Sequence, residues 1–179
     1  MKQTISAYIE LMKTRVTSLV LVTAYLGYYL GLRSQEEHMA SLESWLVLFY
    51  LLLGTWCTSS GAAVLNQVIE RRHDAKMNRT KNRPLVKGIL QPVQALIFGL
   101  LLSLSGFTFL YFFTNPITAL ISLATIILYI FIYTPSKRIT TWNTIIGSIP
   151  GALPPVGGWT AATGSLAPPA WILFGISQT

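Results

Sequence analysis

The chain has 179 residues, 52% of them hydrophobic and only 11% charged, with a mean hydropathy of +0.53. Soluble domains carry about 25% charged residues, so this composition excludes an ordinary water-soluble fold and points to the bilayer. Thirteen Lys and Arg against six Asp and Glu give a formal charge of +7, an excess that membrane topology explains without nucleic acid. The single Cys57 excludes an intramolecular disulfide.

The segment from Met1 to Lys13 contains Glu10 and lacks the Arg- and Ser-rich amphipathic pattern of a transit peptide. It also lacks a short apolar core followed by a small-residue cleavage site, so the first apolar run reads as a retained span. Crossing a hydrocarbon core of about 30 Å takes about 17–25 apolar helical residues. Five runs qualify: Val16–Leu32, Trp45–Leu65, Val93–Phe113, Ile117–Thr134 and the Gly- and Pro-rich Trp142–Ala162. A sixth begins near Pro168 and is too short to cross before Thr179. No stretch alternates with a period of two, so a β-barrel is not supported. The expected fold is an all-α polytopic membrane protein, with residues 1–179 forming a single transmembrane domain.

Charge asymmetry sets the orientation. Twelve of the thirteen basic residues fall on one face: Lys2, Lys13 and Arg15, then Arg71, Arg72, Lys76, Arg79, Lys81, Arg83 and Lys87, then Lys137 and Arg138. The other face has Arg33 with Glu36, Glu37 and Glu43. The N-terminus and the stretch 66–88 are therefore expected on the cytoplasmic side.

Topology alone does not explain Asn66, Glu70 and Asp74, spaced i, i+4, i+8. Each step of four advances about 400° on an α-helix, so the three stack along one face. Two carboxylates and an amide at the end of an apolar span make an oxygen-rich site of the kind Mg²⁺ accepts, its shell completed by water and substrate phosphates. Nearby cations can take the remaining phosphate charge, the arginines bidentately. The alternative from spacing alone is an ordinary interfacial helix end. His38, in the outer loop, reads as a surface residue, and His73 abuts the acidic motif but points off its face, against a haem-ligand role.

The continuation Met77–Asn78–Arg79–Thr80–Lys81–Asn82–Arg83–Pro84–Leu85–Val86–Lys87–Gly88 narrows the choice. The run 66–88 resembles the first signature of the UbiA superfamily of intramembrane prenyltransferases, and in particular its haem-farnesylating branch. Lys13 to Ala24, with Thr14 where that branch commonly has Pro, resembles the branch's opening. Tyr133–Thr134–Pro135–Ser136–Lys137–Arg138 resembles its element on the fourth helix, and Thr141 to Trp159 its fifth.

The resemblance implies a helical bundle around a cavity, with an isoprenoid diphosphate held at the cytoplasmic end by Mg²⁺. Asn66, Glu70 and Asp74 would then be the metal-facing catalytic half-site, with Arg72 standing where many members have another acid. Arg79, Arg83 and Lys81 would bind diphosphate, joined by Tyr133, Lys137 and Arg15. The implied substrates are farnesyl diphosphate and haem b, the implied location is the bacterial inner membrane, and the implied partners include haem A synthase or oxidase assembly factors. Full members carry a second acidic motif on a later helix, whereas no Asp or Glu follows Asp74 here. The chain therefore reads as a C-terminally incomplete version that is expected to be inactive by itself. Two other readings stay open, a family member that prenylates an aromatic or quinone precursor and a transporter for an anionic ligand. The Gly/Pro-rich fifth span is read chiefly as a packing surface, with a broken helix lining the cavity as the alternative.

Overall fold

The computed structural model describes residues 2–36 and 41–177, and every regular element among them is helical. His38 and Glu37 lie outside the described residues. The chain runs through α1 (Lys2–Leu11), α2 (Thr14–Ser34), α3 (Leu42–Asp74), α4 (Pro92–Phe113) and α5 (Pro116–Ile127). A π-helical segment, Leu128–Tyr133, joins α5 to α6 (Thr134–Ile139), and α7 (Asn143–Thr163) and α8 (Pro168–Ile176) follow.

Local chemistry sets the helix starts. The Ser41 hydroxyl accepts the Ser44 N–H at 3.1 Å to open α3. Gln91 and Gln94 form a reciprocal capping box ahead of Pro92. Asn115 accepts the Thr118 N–H at 2.8 Å, with Pro116 at the first turn of α5. Lys13 sits between α1 and α2 in the left-handed region, at φ 48°, and this tight corner turns its side chain back toward the bundle.

Helix α3 has 33 residues, about 50 Å at 1.5 Å per residue. That exceeds the hydrocarbon thickness, so its last turns, past Leu65, project beyond the apolar zone carrying Asn66, Glu70 and Asp74. The stretch 66–88 is thus helix through Asp74 and a run of turns after it. Those turns are anchored: Leu85 and Leu90 are buried with Ala7, Leu11 and Met12 of the N-terminal segment and Val64 of α3. Gln67 Nε2 donates to the Leu11 carbonyl at 2.7 Å. The sequence pattern did not reveal α1, because Ala7, Tyr8 and Leu11 face this core while Ile5 and Ile9 stay exposed.

Among the described residues, four helical stretches are long and apolar enough to cross a membrane: Thr14–Ser34, Leu42–Asp74, Pro92–Phe113 and Pro116–Lys137. The fifth expected span forms, but as a helix that is long enough without being apolar enough. Its composition has a physical reason, since α7 packs against α2, α3 and α5 and buries Pro150, Ala152 and the run Pro155–Ala161. A helix covered by neighbours needs small residues for close approach more than it needs apolar bulk. It runs unbroken through Pro150, Pro154 and Pro155, so the broken-helix alternative is not what forms. The packing reading holds in detail. A Cβ on Gly158 would lie 2.0 Å from the Ala24 carbonyl oxygen, and one on Gly27 would lie 1.9 Å from that of Pro155. Helices α3 and α4 meet through Gly61 and Gly106 in the same manner. Across α5 and α7, the Thr118 and Thr160 hydroxyls pair at 2.9 Å, and Asn115 Nδ2 donates to the Thr160 carbonyl at 2.7 Å.

Because backbone, which cannot rotate away, flanks Gly158, Gly158→Ala is expected to force α2 and α7 apart. The expected loss is about 2 kcal/mol, read as a Tm lowered by several degrees in detergent by far-UV circular dichroism. Gly175→Ala, where no atom lies within 4 Å of the added Cβ, should leave Tm unchanged or slightly raised.

Candidate functional site

The three residues on the end of α3 form a continuous polar row. Asn66 is fully buried, Asp74 is 4% exposed, and the Glu70 side chain is 13% exposed. Asn66 Nδ2 donates to Glu70 Oε2 at 2.8 Å. Lys137, one turn past Tyr133, reaches across from α6 to Glu70 Oε1 at 3.0 Å. Arg83, held by the anchored turns, pairs with Asp74 Oδ2. The Thr80 hydroxyl donates to the Asp74 backbone carbonyl at 2.9 Å, tying the turn to the helix end.

Tyr133 completes the group. Lys137 Nζ stands 4.4 Å from the centroid of its ring, the Tyr129 ring lies at 5.4 Å, and Gly147 of α7 leaves room for it, since a Cβ there would meet Tyr133 at 2.5 Å. Of the residues singled out in the sequence, the structure thus brings together Asn66, Glu70, Asp74, Arg83, Tyr133 and Lys137. It does not bring in Arg15, which is exposed on α2, nor Arg79, exposed on the turns. Lys81 is also exposed, and its ammonium donates to Asn78 Oδ1 at 3.2 Å. Arg72 and His73 are exposed too, so the basic residue at position 72 leaves the acidic row intact.

Two participants escaped the sequence reading. Lys13 lines one end of the cavity; in the sequence it is a topological charge and the first residue of the opening motif, with no assigned site role, and the left-handed corner that aims it inward has no sequence signature in a lysine. Thr134, fully buried, donates to Asn66 Oδ1 at 2.6 Å. It stood inside the quoted Tyr133–Arg138 motif as a residue of no assigned role.

Beside the cluster is a cavity of about 310 Å³, walled by α2, α3, α5, α7 and the π-helical segment, with Lys13, Tyr129 and Tyr133 at its charged end and Val20, Ala62 and Pro154 farther in. A second space of about 50 Å³ continues it toward Leu51, Leu110 and Gly157; Val20, Ser59, Ala62, Thr125 and Pro154 line both. Ser59 and Thr125 satisfy their hydroxyls on their own helix, through the carbonyls of Trp56 and Ile121. The walls therefore present mainly apolar surface.

The donor set fits a hard divalent cation as part of a shell. Glu70 and Asp74 lie on one helix face and offer oxygen alone, and among the described residues no three His, Cys, Asp or Glu side chains converge into a complete cage. That is the pattern of Mg²⁺, which takes one or two carboxylates and leaves the remainder to water and phosphate oxygens. Lys137 and Arg83 now neutralise the two acids and would be released toward an anion when a metal took their place.

The model of the UbiA prenyltransferase family matches residues 16–178. The protoheme IX farnesyltransferase of Solibacter usitatus is 44% identical over 171 residues, covering 94% of this chain and 59% of the relative. That of Psychromonas ingrahamii is 41% identical over 177 residues, covering 98% and 55%. The chain thus spans a little over half the length of these relatives. Among solved structures, a UbiA homolog from Archaeoglobus fulgidus bound to DMAPP and Mg²⁺ superposes with a TM-score of 0.73 at 17% identity, covering 96% of this chain and 60% of that one. At that identity the likeness establishes the fold.

Burial pushes the Lys13 ammonium down to about 8, with Arg83 and Lys137 adding repulsion and Glu70 and Asp74 offsetting part of it. The folded value lies below the unfolded 10.5, so a charged Lys13 destabilises the fold below pH 8, and that penalty fades as the pH rises from about 8 toward 10.5. Lys13→Met is accordingly expected to raise Tm by a few degrees at pH 7. The gain should shrink steadily above pH 8 in thermal scans against wild type.

Proposed function

The chain belongs to the UbiA prenyltransferase family, and from that premise we propose that its protein transfers a farnesyl group from farnesyl diphosphate to a vinyl group of haem b, in the bacterial inner membrane with its N-terminus cytoplasmic. The observation that carries the proposal is the convergence of Glu70, Asp74, Arg83 and Lys137 beside Lys13 and Tyr133, which line one end of an otherwise apolar cavity. The haem acceptor is supported by the names of relatives 41–44% identical to this chain. The side of the membrane is supported by the basic residues that flank α2, α3 and α6.

Two acids facing three cations leave a net positive charge where an anionic leaving group would sit. The diphosphate would lie against Lys137, Arg83 and Lys13, with its prenyl tail in the apolar cavity. Glu70 and Asp74, with Asn66, would hold Mg²⁺, which supplies charge stabilisation to the leaving oxygens. Breaking the C1–O bond sends the electron pair to the diphosphate and leaves an allylic cation. Fixed cations around the leaving group act where negative charge develops, in a site shielded from bulk water. The Tyr133 and Tyr129 rings present π-electrons at the same end of the cavity and can lower the energy of a nearby cation. Attack by the vinyl π-bond forms the new C–C bond; the cation then left beside the porphyrin takes up water and loses a proton, giving a hydroxyethylfarnesyl substituent.

In the full-length enzyme, Glu70→Gln and Asp74→Asn are each expected to lower Mg²⁺-dependent turnover of farnesyl diphosphate and haem b by about a hundredfold or more, with the fold retained by circular dichroism. Retained turnover in either variant would remove that residue from the metal role. Substituting an aromatic acid or quinone precursor for haem b should give no prenylated product; product formation would move the acceptor to that class.

Removing only the charge of Lys137, as Lys137→Met, should raise the KM for farnesyl diphosphate about tenfold while sparing the apolar packing of the stem. An unchanged KM would show that this ammonium pairs with Glu70 alone and not with the diphosphate.

A further inference from the structure

Asn66 is buried so completely that its amide must be satisfied by its immediate neighbours. Glu70 Oε2 is an acceptor, which dictates that the NH₂ end faces it. Asn66 Oδ1 therefore points away from the acidic row and accepts from the Thr134 hydroxyl at 2.6 Å. With the amide this way round, the oxygen that a metal would use is turned toward α6. Asn66 can offer Oδ1 to a cation beside Glu70 only by rotating, which carries Nδ2 round to Thr134.

Thr134 can serve either arrangement. Its hydroxyl has one proton and two acceptors within reach, Asn66 Oδ1 and the Tyr129 carbonyl at 2.8 Å. The second acceptor lies five residues back, and the same carbonyl already takes the Thr134 N–H. In an ordinary α-helix a threonine hydroxyl bonds three or four residues back; the wider π turn of Leu128–Tyr133 brings the i−5 carbonyl into range instead. The Tyr129 carbonyl does not depend on the hydroxyl, so that proton is free to change partner.

We propose that Thr134 is a positioning residue that lets the Asn66 amide present either end to the acidic pair, giving its proton to Oδ1 in one orientation and accepting from Nδ2 in the other. Without metal its proton goes to Asn66 Oδ1 and the amide nitrogen holds Glu70. With Mg²⁺ the amide turns, Oδ1 joins the metal shell, Nδ2 donates to the Thr134 oxygen, and the Thr134 proton passes to the Tyr129 carbonyl as a hydrogen bond, with no bond to hydrogen broken. The inference rests on the Mg²⁺–diphosphate reading of the site. It adds a role for the π-helical segment, which holds the alternative acceptor in place.

The test uses the full-length enzyme in detergent, labelled with ¹⁵N-asparagine, with Mg²⁺ and inorganic pyrophosphate as probes; the Asn66 signal is identified by its loss in Asn66→Ser. Wild type should show one Asn66 NH₂ pair without metal, and that pair should move when Mg²⁺ and pyrophosphate bind. Thr134→Val should shift the metal-free signal without splitting it, because Glu70 still holds the NH₂ end while Oδ1 loses its donor. It should also weaken Mg²⁺–pyrophosphate binding by calorimetry about five- to tenfold, since a buried N–H without an acceptor is the costlier orphan. Thr134→Ser should restore both. Binding of Mg²⁺ and pyrophosphate with an unmoved Asn66 signal would overturn the proposal while leaving the diphosphate reading intact. So would a Thr134→Val protein with wild-type signal and affinity. No binding by wild type would sink both.

Discussion

The arrangement depends on one constraint: two carboxylates, Glu70 and Asp74, sit at the edge of an apolar bundle and each must be compensated by a partner of opposite charge. Removing such groups from water is expensive unless paired and hydrogen-bonded. The partners come from separate parts of the chain, Arg83 from the turns after α3 and Lys137 from α6. Meeting that demand ties the end of α3 to α6 and folds the basic segment back over its own helix. Under the proposed function, the same pairing would let the cluster reorganise around a metal and a polyanion, because each cation now bound to an acid is one that a phosphate could take.

Holding those charges in register requires a rigid bundle behind them, and the rigidity comes from backbone proximity. At Gly27, Gly158, Gly61 and Gly106 the opposing helix approaches within the space a Cβ would need. Apolar bulk does not drive helices together within lipid, so close van der Waals packing and hydrogen bonds between helices take its place. The Thr118–Thr160 pair and the Asn115–Thr160 contact are bonds of this kind far from the charged end. Helix α7 thereby closes one side of the cavity while Gly147 leaves the notch that Tyr133 occupies.

The hydroxyl groups of the structure divide into two uses. Those along the cavity wall, Ser59 and Thr125 among them, return their protons to their own helices and present little polarity to an occupant. Thr134 instead turns outward to another helix, and it does so directly after the π-helical segment. Such segments commonly mark functional positions, and here the local rewinding is what supplies two acceptors to one proton.

Composition and charge determined the membrane class, the positions of the long apolar spans and the face on which the basic residues gather, because hydropathy and the distribution of Lys and Arg are local properties of a chain. The i, i+4, i+8 row of Asn66, Glu70 and Asp74 was equally legible, since helical periodicity alone puts the three on one face. Even there the last turns of α3 ran on as helix past the apolar stretch, and the fifth span proved less apolar than a lipid-facing helix because its neighbours cover it. Tertiary structure alone decided which cations pair with the acids. Arg15, Arg79 and Lys81 look as suitable in sequence as Arg83 and Lys137, but only the latter two are carried to the acids by the anchored turns and by α6. Lys13 and Thr134 were hidden for the same reason: a left-handed corner and a π turn aim them inward, and a bond such as Thr134 to Asn66, across 68 residues of chain, has no local signature.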